Sequence, residues 1–128
     1  GRPLAGLRDP DRVFRPDSPG AEDALLGTTE VVENKFTGNT TLGVVLTNAR
    51  FPKAALCKIA GMAHDGYARA IRPVHTPADG DSIFAVSLGN LAADQDTVGA
   101  LAARVMAEAI RRAVHVPGVP GAPGLLDS

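Results

Sequence analysis

The stretch Thr37-Gly-Asn-Thr-Thr-Leu-Gly-Val-Val-Leu-Thr-Asn-Ala49 leads the chain from a turn into its most apolar segment. Residues 37–39 have turn chemistry, because glycine and asparagine accept backbone conformations that other residues avoid. Residues 40–47 are almost continuously apolar after two threonines, which is typical of a strand covered on both faces. The sequence therefore places Thr40 and Thr41 at the mouth of a buried strand.

A threonine at such a position can become a catalyst if the chain is cut before it. Its hydroxyl is a poor nucleophile without a neighbouring base, and one available base is the residue's own α-amino group. A freed α-amino group has a reference pKa of about 7.7–8.0, so it is partly neutral at physiological pH. Cleavage of the chain would thus create the base.

Three blocks of sequence carry a resemblance to a known family. They are residues 39–49, His64-Asp-Gly-Tyr-Ala-Arg-Ala-Ile-Arg-Pro-Val-His-Thr76 and Asp79-Gly-Asp-Ser-Ile-Phe84. In this order they resemble the C-terminal part of the nylon-oligomer hydrolases and the related D-aminopeptidase (β-aminopeptidase) family of N-terminal-nucleophile hydrolases. The resemblance spans residues 39–89 and extends through the last helix, to about residue 116.

The resemblance implies a precursor that cuts itself before its nucleophile. Carried onto this sequence, the cut falls between Asn39 and Thr40, and Thr40 is the nucleophile. Family members also have a long N-terminal α segment, which supplies a lysine, an asparagine and much of the fold. Only 39 residues precede Thr40 here, so we expect the chain to be the C-terminal part of a larger enzyme and the α segment to be its partner.

Composition divides the chain into three parts. Residues 1–27 are rich in proline and in charges of both signs, which predicts a flexible arm or linker. The resemblance implies that residues 28–116 are the C-terminal, nucleophile-bearing portion of the hydrolase domain. Residues 117–128 belong to a proline- and glycine-rich tail, whose repeated Pro-Gly pairs predict flexibility.

The charge pattern narrows the classes of partner that the chain can bind, and the cysteine count limits its disulfides. The net charge is −1 with both signs interspersed, which gives no electrostatic reason to expect nucleic acid or an anionic membrane. No apolar run approaches the ~20 residues of a membrane span, and we expect a cytoplasmic protein. Cys57 is the single cysteine, so an intrachain disulfide is impossible. The histidines lack metal-ligand spacing, and we predict neither a metal nor another cofactor.

The remaining elements can be placed coarsely. Residues 28–34 alternate as a strand, and residues 82–88 form a further apolar strand. Pro52 suits the first turn of a helix, whose apolar side comprises Leu56, Ile59, Ala60 and Ala63.

A long helix follows the last strand. Asp96 or Thr97 can cap it, and Pro117 stops it. Its predicted apolar stripe comprises Val98, Leu101, Ala102, Val105 and Ala109.

This order of elements indicates an α/β (α+β) domain. The family resemblance sharpens the fold class to part of an α-β-β-α sandwich. Two helices and about three strands cannot cover two stacked sheets, so the apolar strand faces need cover from the α segment or from another copy of the chain. We therefore expect a homo-oligomer.

Asp79-Gly80-Asp81 is the second chemical feature. Taken alone, Asp-Gly is a strong turn signal. Two carboxylates at the mouth of a strand can also raise each other's pKa and hold or pass a proton. The resemblance favours chemistry, since the corresponding acids of the family contact the nucleophile; it favours Asp81 over Asp79.

Two further residues are possible support for the site. Thr41 would be the nucleophile if the cut fell one residue later, although a strand turns Thr40 and Thr41 to opposite faces. Asn48 ends the nucleophile strand and can donate a hydrogen bond, or simply cap a turn. His64 and His75 fall within the matching blocks, where we expect them to hold loops.

These observations predict an autoprocessing hydrolase of small amides or peptides. Two alternatives remain. An acetyltransferase of the ornithine acetyltransferase type has a related fold and would use an amine acceptor instead of water. The chain could also be a non-catalytic fragment or partner that lacks the α segment.

Overall fold

The structure, a computed structural model, describes residues 3–5, 15–17, 20–28 and 40–120. Within these ranges the chain forms three helices and two strands, in the order α1 (Ala21–Leu26), β1 (Leu42–Ala49), α2 (Lys53–Ala70), β2 (Ser82–Leu91) and α3 (Gln95–Ala113). The mixed α/β class predicted from the sequence is thereby confirmed. The strand predicted at 28–34 lies, apart from Thr28, outside the described residues.

The two strands pair in parallel, with Leu42 opposite Ser82 and Thr47 opposite Ser87. Parallel strands need a crossover connection, and α2 provides it by returning the chain from the carboxyl end of β1 to the amino end of β2. Both strands therefore begin at the same edge of the sheet. The last turn of α2 reaches that edge as well.

Both long helices begin differently from the prediction. Pro52 is the N-cap of α2, with an extended ψ of 164°, rather than a member of its first turn. Asp94 caps α3, because its carboxylate accepts hydrogen bonds from the backbone N–H and the hydroxyl of Thr97, at 2.9 and 3.1 Å. The predicted cap at Asp96 or Thr97 is wrong. The bond from the Thr97 backbone is the main reason that the pKa of Asp94 is lowered.

Small residues let α2 and α3 approach closely. A side-chain carbon at Gly66 would stand 2.5 Å from the carbonyl oxygen of Ala103, and one at Gly99 would overlap the Met62 side chain. The core lies where the two helices meet the sheet. Its buried members are Ile59, Ala63, Tyr67, Ala102 and Met106.

The buried stripe of α3 agrees with the predicted one only in part: Ala102 is buried and Val98 packs against the core, but the other predicted members do not. It is displaced by one residue, about 100° around the helix, because contact with α2 selects small side chains over large ones. Leu101 and Val105 are exposed, and with β1 they line a groove with a volume of about 410 Å³. The buried residues are Gly99, Ala102, Ala103, Met106 and Ala107.

Within the part of the chain that the structure describes, one face of the sheet is covered and the other is not. Val45, Ile83 and Ala85 pack against the core. The alternate residues form an uncovered apolar face, on which Leu42 is 71% exposed and Phe84 is 62% exposed. We call this surface the open face; its residues are Leu42, Val44, Leu46, Phe84, Val86 and Leu88.

The predicted domain boundaries stay a prediction. Helix α1 lies within the segment predicted as an arm, and none of its residues is buried. Of the helices in the described ranges, none has the length and apolarity required to cross a bilayer.

Candidate active site

The parallel register brings Asp81 to Thr41. Because Leu42 stands opposite Ser82, the residues immediately before the two strands are also neighbours. Asp81 Oδ1 accepts a hydrogen bond from the backbone N–H of Thr41 at 3.1 Å. The acid and the threonine pair are 40 residues apart in the chain, and β1 and β2 join them at one edge.

The Thr41 peptide is held on its other side too. Its carbonyl oxygen accepts a hydrogen bond from the backbone N–H of Ser82 at 3.0 Å. The N–H held by Asp81 belongs to the peptide that links Thr40 to Thr41. The peptide that follows Thr40 is therefore fixed through its N–H by Asp81. The next carbonyl along the chain, that of Thr41, is fixed by Ser82.

Tyr67 contacts this edge of the sheet from the core side. It lies near the end of α2, is fully buried, and its hydroxyl is 3.2 Å from the carbonyl oxygen of Thr41 and 3.3 Å from that of Ser82. Burial, and then the negative charge of Asp81, raise the pKa of Tyr67 above its ordinary value. The hydroxyl thus stays protonated and can donate. Gly43 makes room for it, because a side-chain carbon there would stand 2.7 Å from the hydroxyl oxygen.

His75 completes the surroundings of Asp81. Its Nδ1 lies 3.1 Å from Asp81 Oδ2, and the Asp81 side chain is only 7% exposed. A buried carboxylate is costly unless it is paired, and here each oxygen has a partner. The ring of His75 also contacts two rings from α2, with centroid distances of 4.8 Å to His64 and 6.0 Å to Tyr67.

Asp79 closes a turn in this structure. Its Oδ2 accepts hydrogen bonds from the backbone N–H and the hydroxyl of Thr76, both at 2.9 Å. These contacts match the turn interpretation of Asp79-Gly80-Asp81. A catalytic role for Asp79 stays a prediction.

The other predicted site residues are dispersed. Thr40 is exposed and Thr41 is half-buried, so exposure alternates as expected at the start of a strand. Asn39 lies outside the described residues. Asn48 lies near the far end of β1, about 20 Å along the strand from Leu42, and the structure does not bring it to Thr40.

Sequence reasoning missed two contributors to the site. Tyr67 and His75 were within the matching blocks, but neither was predicted to contact the acids or the threonines. A signal did exist for His75, since the unusual run from Pro73 to Asp81 joins a helix to the site strand. No local pattern reveals that Tyr67 reaches under β1, because the contact depends on Gly43.

The arrangement can hold a negative charge at the amino end of β1 and shield it from water, since the Asp81 side chain is only 7% exposed. Asp81 can fix the backbone of Thr40-Thr41, and its charge can stabilise a cation that forms there, such as a protonated α-amino group. The fold and site define a mixed α/β protein in which an acid, a tyrosine and a histidine lie where two parallel strands begin.

The chain belongs to peptidase family S58, which residues 12–117 match. The resemblance identified from the three sequence blocks is confirmed by this match.

The names of similar proteins are consistent with this family. An uncharacterized aminopeptidase of Mycobacterium tuberculosis H37Rv is 40% identical over 101 residues, which cover 64% of this chain and 29% of that protein. One from Mycobacterium leprae is 42% identical over 77 residues, covering 60% and 20%. The 6-aminohexanoate-oligomer endohydrolase of Kocuria sp. KY2 is 35% identical over 89 residues, covering 59% and 25%. The matched part of the chain thus spans less than a third of each relative.

Proposed function

We propose that this chain carries the nucleophile of a self-processing amide or peptide hydrolase, and that Thr40 is that nucleophile. Membership of peptidase family S58 supports the reaction class. The observation that carries the residue assignment is the hydrogen bond that the Thr41 N–H donates to Asp81. It puts a shielded carboxylate one peptide bond from Thr40.

Activation begins with cleavage between Asn39 and Thr40. The Thr40 Oγ attacks the Asn39 carbonyl carbon, the peptide C–N bond breaks, and an ester with a free α-amino group results. Water then hydrolyses the ester, which releases the Asn39 carboxylate and restores the Thr40 hydroxyl. The new α-amino group is the base that the internal amide could not supply.

Turnover uses the same oxygen. The Thr40 Oγ attacks the substrate carbonyl, and its proton passes to the α-amino group, or to a lysine of the α segment, and then to the leaving amine. Water hydrolyses the resulting acyl-enzyme. The developing oxyanion needs preorganised donors, which we assign to backbone N–H groups and to a side chain of the α segment.

The two acids have different parts in this scheme. Asp81 orients the peptide that bears Thr40 and stabilises the protonated α-amino group. Asp79 assists proton transfer once substrate is present, at the same edge of the sheet. Thr41 has a backbone role, and Asn48 has none because of its position near the far end of β1.

The partner that completes the site is an N-terminal α segment of the same enzyme, within a homo-oligomer. The open face supports this proposal, because a contiguous apolar surface of this kind normally marks an interface. Thr40 is exposed, as are Leu42 and Val44 of that face. A segment that covers the open face would therefore also wall the nucleophile.

Substrates are small amides or short peptides. The threonine nucleophile and the Asp79-Gly80-Asp81 pair favour the nylon-hydrolase branch, and the relative named 6-aminohexanoate-oligomer endohydrolase supports linear ω-amino-acid amides. The relatives named as aminopeptidases support peptides with a free amino end.

The test is a substrate panel applied to the complete enzyme, meaning this chain with its proposed α segment. The panel contains β-alanyl amides, D-amino-acid amides and aminohexanoate oligomers, and the variants are Thr40→Ala, Thr40→Ser and Thr41→Val. We expect Thr40→Ala to be inactive, Thr40→Ser to retain activity, and Thr41→Val to remain active.

Three results would redirect the proposal. Activity that survives in Thr40→Ala overturns the nucleophile assignment. Activity that is lost only in Thr41→Val moves the nucleophile by one residue. A preference for D-amino-acid amides changes the branch and leaves the mechanism intact.

A further inference from the structure

His75 contacts the carboxylate that holds the Thr41 backbone. Its Nδ1 is 3.1 Å from Asp81 Oδ2, and Asp81 Oδ1 is bound to the Thr41 N–H. The two contacts use different oxygens of one carboxylate. Rotation of that carboxylate about its terminal bond would break both contacts together, so the position of His75 sets the direction of Oδ1.

The backbone of His75 is unusual in a way that fits this contact. Its φ is 55°, the left-handed region, and it is the one non-glycine residue with positive φ in the described ranges. Histidine accepts this region more readily than most residues but still at a conformational cost. Such conformations persist only where the surroundings enforce them, and they cluster at functional sites.

The surroundings here are two rings and the contact of Nδ1 with Asp81 Oδ2. His64 meets the His75 ring edge-on at 4.8 Å, and Tyr67 stacks on it at an interplanar angle of 26°. His64 Nδ1 is buried without a hydrogen-bond partner among the described residues, so its observed contribution is packing. Tyr67 also bonds the Thr41 carbonyl oxygen. The Thr41 backbone is therefore held from two directions by groups that contact His75.

We propose that His75 is a positioning residue, which fixes the Asp81 carboxylate and through it the peptide that presents Thr40. The inference rests on the proposed function, because it assigns His75 a role in the step that Thr40 performs. Nδ1 must carry a proton to donate a hydrogen bond to Asp81. His75 takes no part in bond making or breaking.

The left-handed backbone makes a clean set of variants possible. Glycine accepts positive φ and lacks a side chain, so His75→Gly removes the Nδ1 donor without backbone strain. Asparagine also tolerates this region, and its side-chain amide can place an N–H donor near the position of Nδ1. His75→Ala loses the donor and strains the backbone as well. His115→Ala, at an exposed position after α3, is the control for removal of a histidine.

The experiment measures precursor cleavage and steady-state turnover in the complete enzyme, together with melting temperature. We expect His75→Gly to lower the cleavage rate and kcat by roughly tenfold to a hundredfold, the effect of a small misplacement of reacting groups. KM should change by less than about twofold, and His75→Asn should recover most of the lost rate. His115→Ala should behave as wild type.

A second background shows whether His75 acts through Asp81. In Asp81→Asn, the further change His75→Gly should cost almost nothing, since residues that act as a unit are strongly non-additive. Full additivity of the two losses contradicts the proposal, as does wild-type turnover in His75→Gly. Loss of rate explained wholly by a lower melting temperature contradicts it too. If His75→Ala fails to fold, His75→Gly and His75→Asn carry the test.

Failure of the proposed function looks different. Wild-type turnover in Thr40→Ala or in Asp81→Asn would remove the nucleophile or the acid. Failure of the present inference leaves both of those variants impaired and the His75 variants active.

Discussion

At the scale of single residues, the site depends on where one carboxylate points. Asp81 and Asp79 are two positions apart and were predicted as a pair, yet the structure gives them separate partners. Asp81 reaches the Thr41 backbone and His75, whereas Asp79 binds Thr76. Their substitutions should therefore have different consequences.

We predict that Asp81→Asn impairs turnover more than folding, by about 10²–10⁴-fold, the range for lost acid–base or electrostatic help. Asp79→Asn should also lower turnover, with part of the effect arising from the Thr76 turn. Turnover and melting temperature, measured on the complete enzyme, separate the two contributions. Normal turnover in both variants would reduce Asp79-Gly80-Asp81 to an ordinary turn.

Tyr67 should stabilise the strand entrance through its hydroxyl. Tyr67→Phe keeps the buried ring and removes a donor to the Thr41 and Ser82 carbonyl oxygens. We expect a loss of about 1 kcal/mol in the free energy of unfolding, the usual net value of one hydrogen bond. Thermal or denaturant unfolding at neutral pH measures it.

The raised pKa of Tyr67 adds a pH signature. A folded-state pKa above the unfolded value of about 10 means that the folded protein holds the proton more tightly. The resulting stability is fully present below pH 10 and is lost as pH rises through the folded pKa. Wild type should therefore lose stability above pH 10 more steeply than Tyr67→Phe. Parallel curves for the two proteins would refute the assigned role.

At the scale of elements, the two long helices are held together by small residues. Gly61 and Gly66 both lie inside α2, which makes them a matched pair. A side-chain carbon at Gly61 would meet nothing within 4 Å, whereas one at Gly66 would stand 2.5 Å from the Ala103 carbonyl oxygen and 2.7 Å from Met106 Cβ.

The same substitution should thus have opposite signs at the two positions. Gly61→Ala should stabilise the protein by up to about 1 kcal/mol, because alanine is the better helix former. Gly66→Ala should destabilise it by about 1–3 kcal/mol through overpacking. Thermal unfolding of both variants checks the expectation. Equal shifts in the same direction would mean that α2 and α3 do not meet at Gly66.

The strands and helices differ in how well they could be predicted from the sequence. The strands at 40–47 and 82–88 were predictable within three residues at each end because their apolar runs are local. The contact face of α3 was not, since a pattern of large residues selects Leu101 and Val105, while close helix packing selects Gly99 and Ala103. The sequence alone does not single out Asp94 as the N-cap of α3, because Asp96 and Thr97 have equally suitable capping side chains.

The candidate site divides in the same way. Thr40 and Asp81 were identified from resemblance, which carries long-range information that no local pattern contains. Their proximity follows from the register of two parallel strands, and register is a property of the folded sheet. Tyr67 and His75 could not be assigned, because their partners lie 26 and 6 residues away, across a helix end and a turn.

At the scale of the whole molecule, the sheet has an apolar surface that the described residues do not cover. Two strands alone make a marginally stable sheet, and the groove beside α3 adds further apolar surface. We predict that the chain is not a stable monomer. In solution it associates with itself, or with the α segment where that segment is present. Sedimentation over a range of concentrations measures this, and a cooperative, concentration-independent monomer would contradict it.

A charge placed on the open face sharpens that test. Leu46 is 65% exposed in the described structure, so Leu46→Lys should be harmless if the face meets water. If another segment covers the face, the substitution should weaken association at least about tenfold, a change of 1.4 kcal/mol or more. Ala100→Lys, on an exposed position of α3, is the control and should have little effect.

In the proposed mechanism, cleavage before Thr40 creates the catalyst, and the intact mass of an enzyme preparation whose activity has been demonstrated tests this step. We expect a fragment that begins at Thr40, and a Thr40→Ala protein that is uncut and inactive. An active preparation that contains only uncut chain would contradict the account.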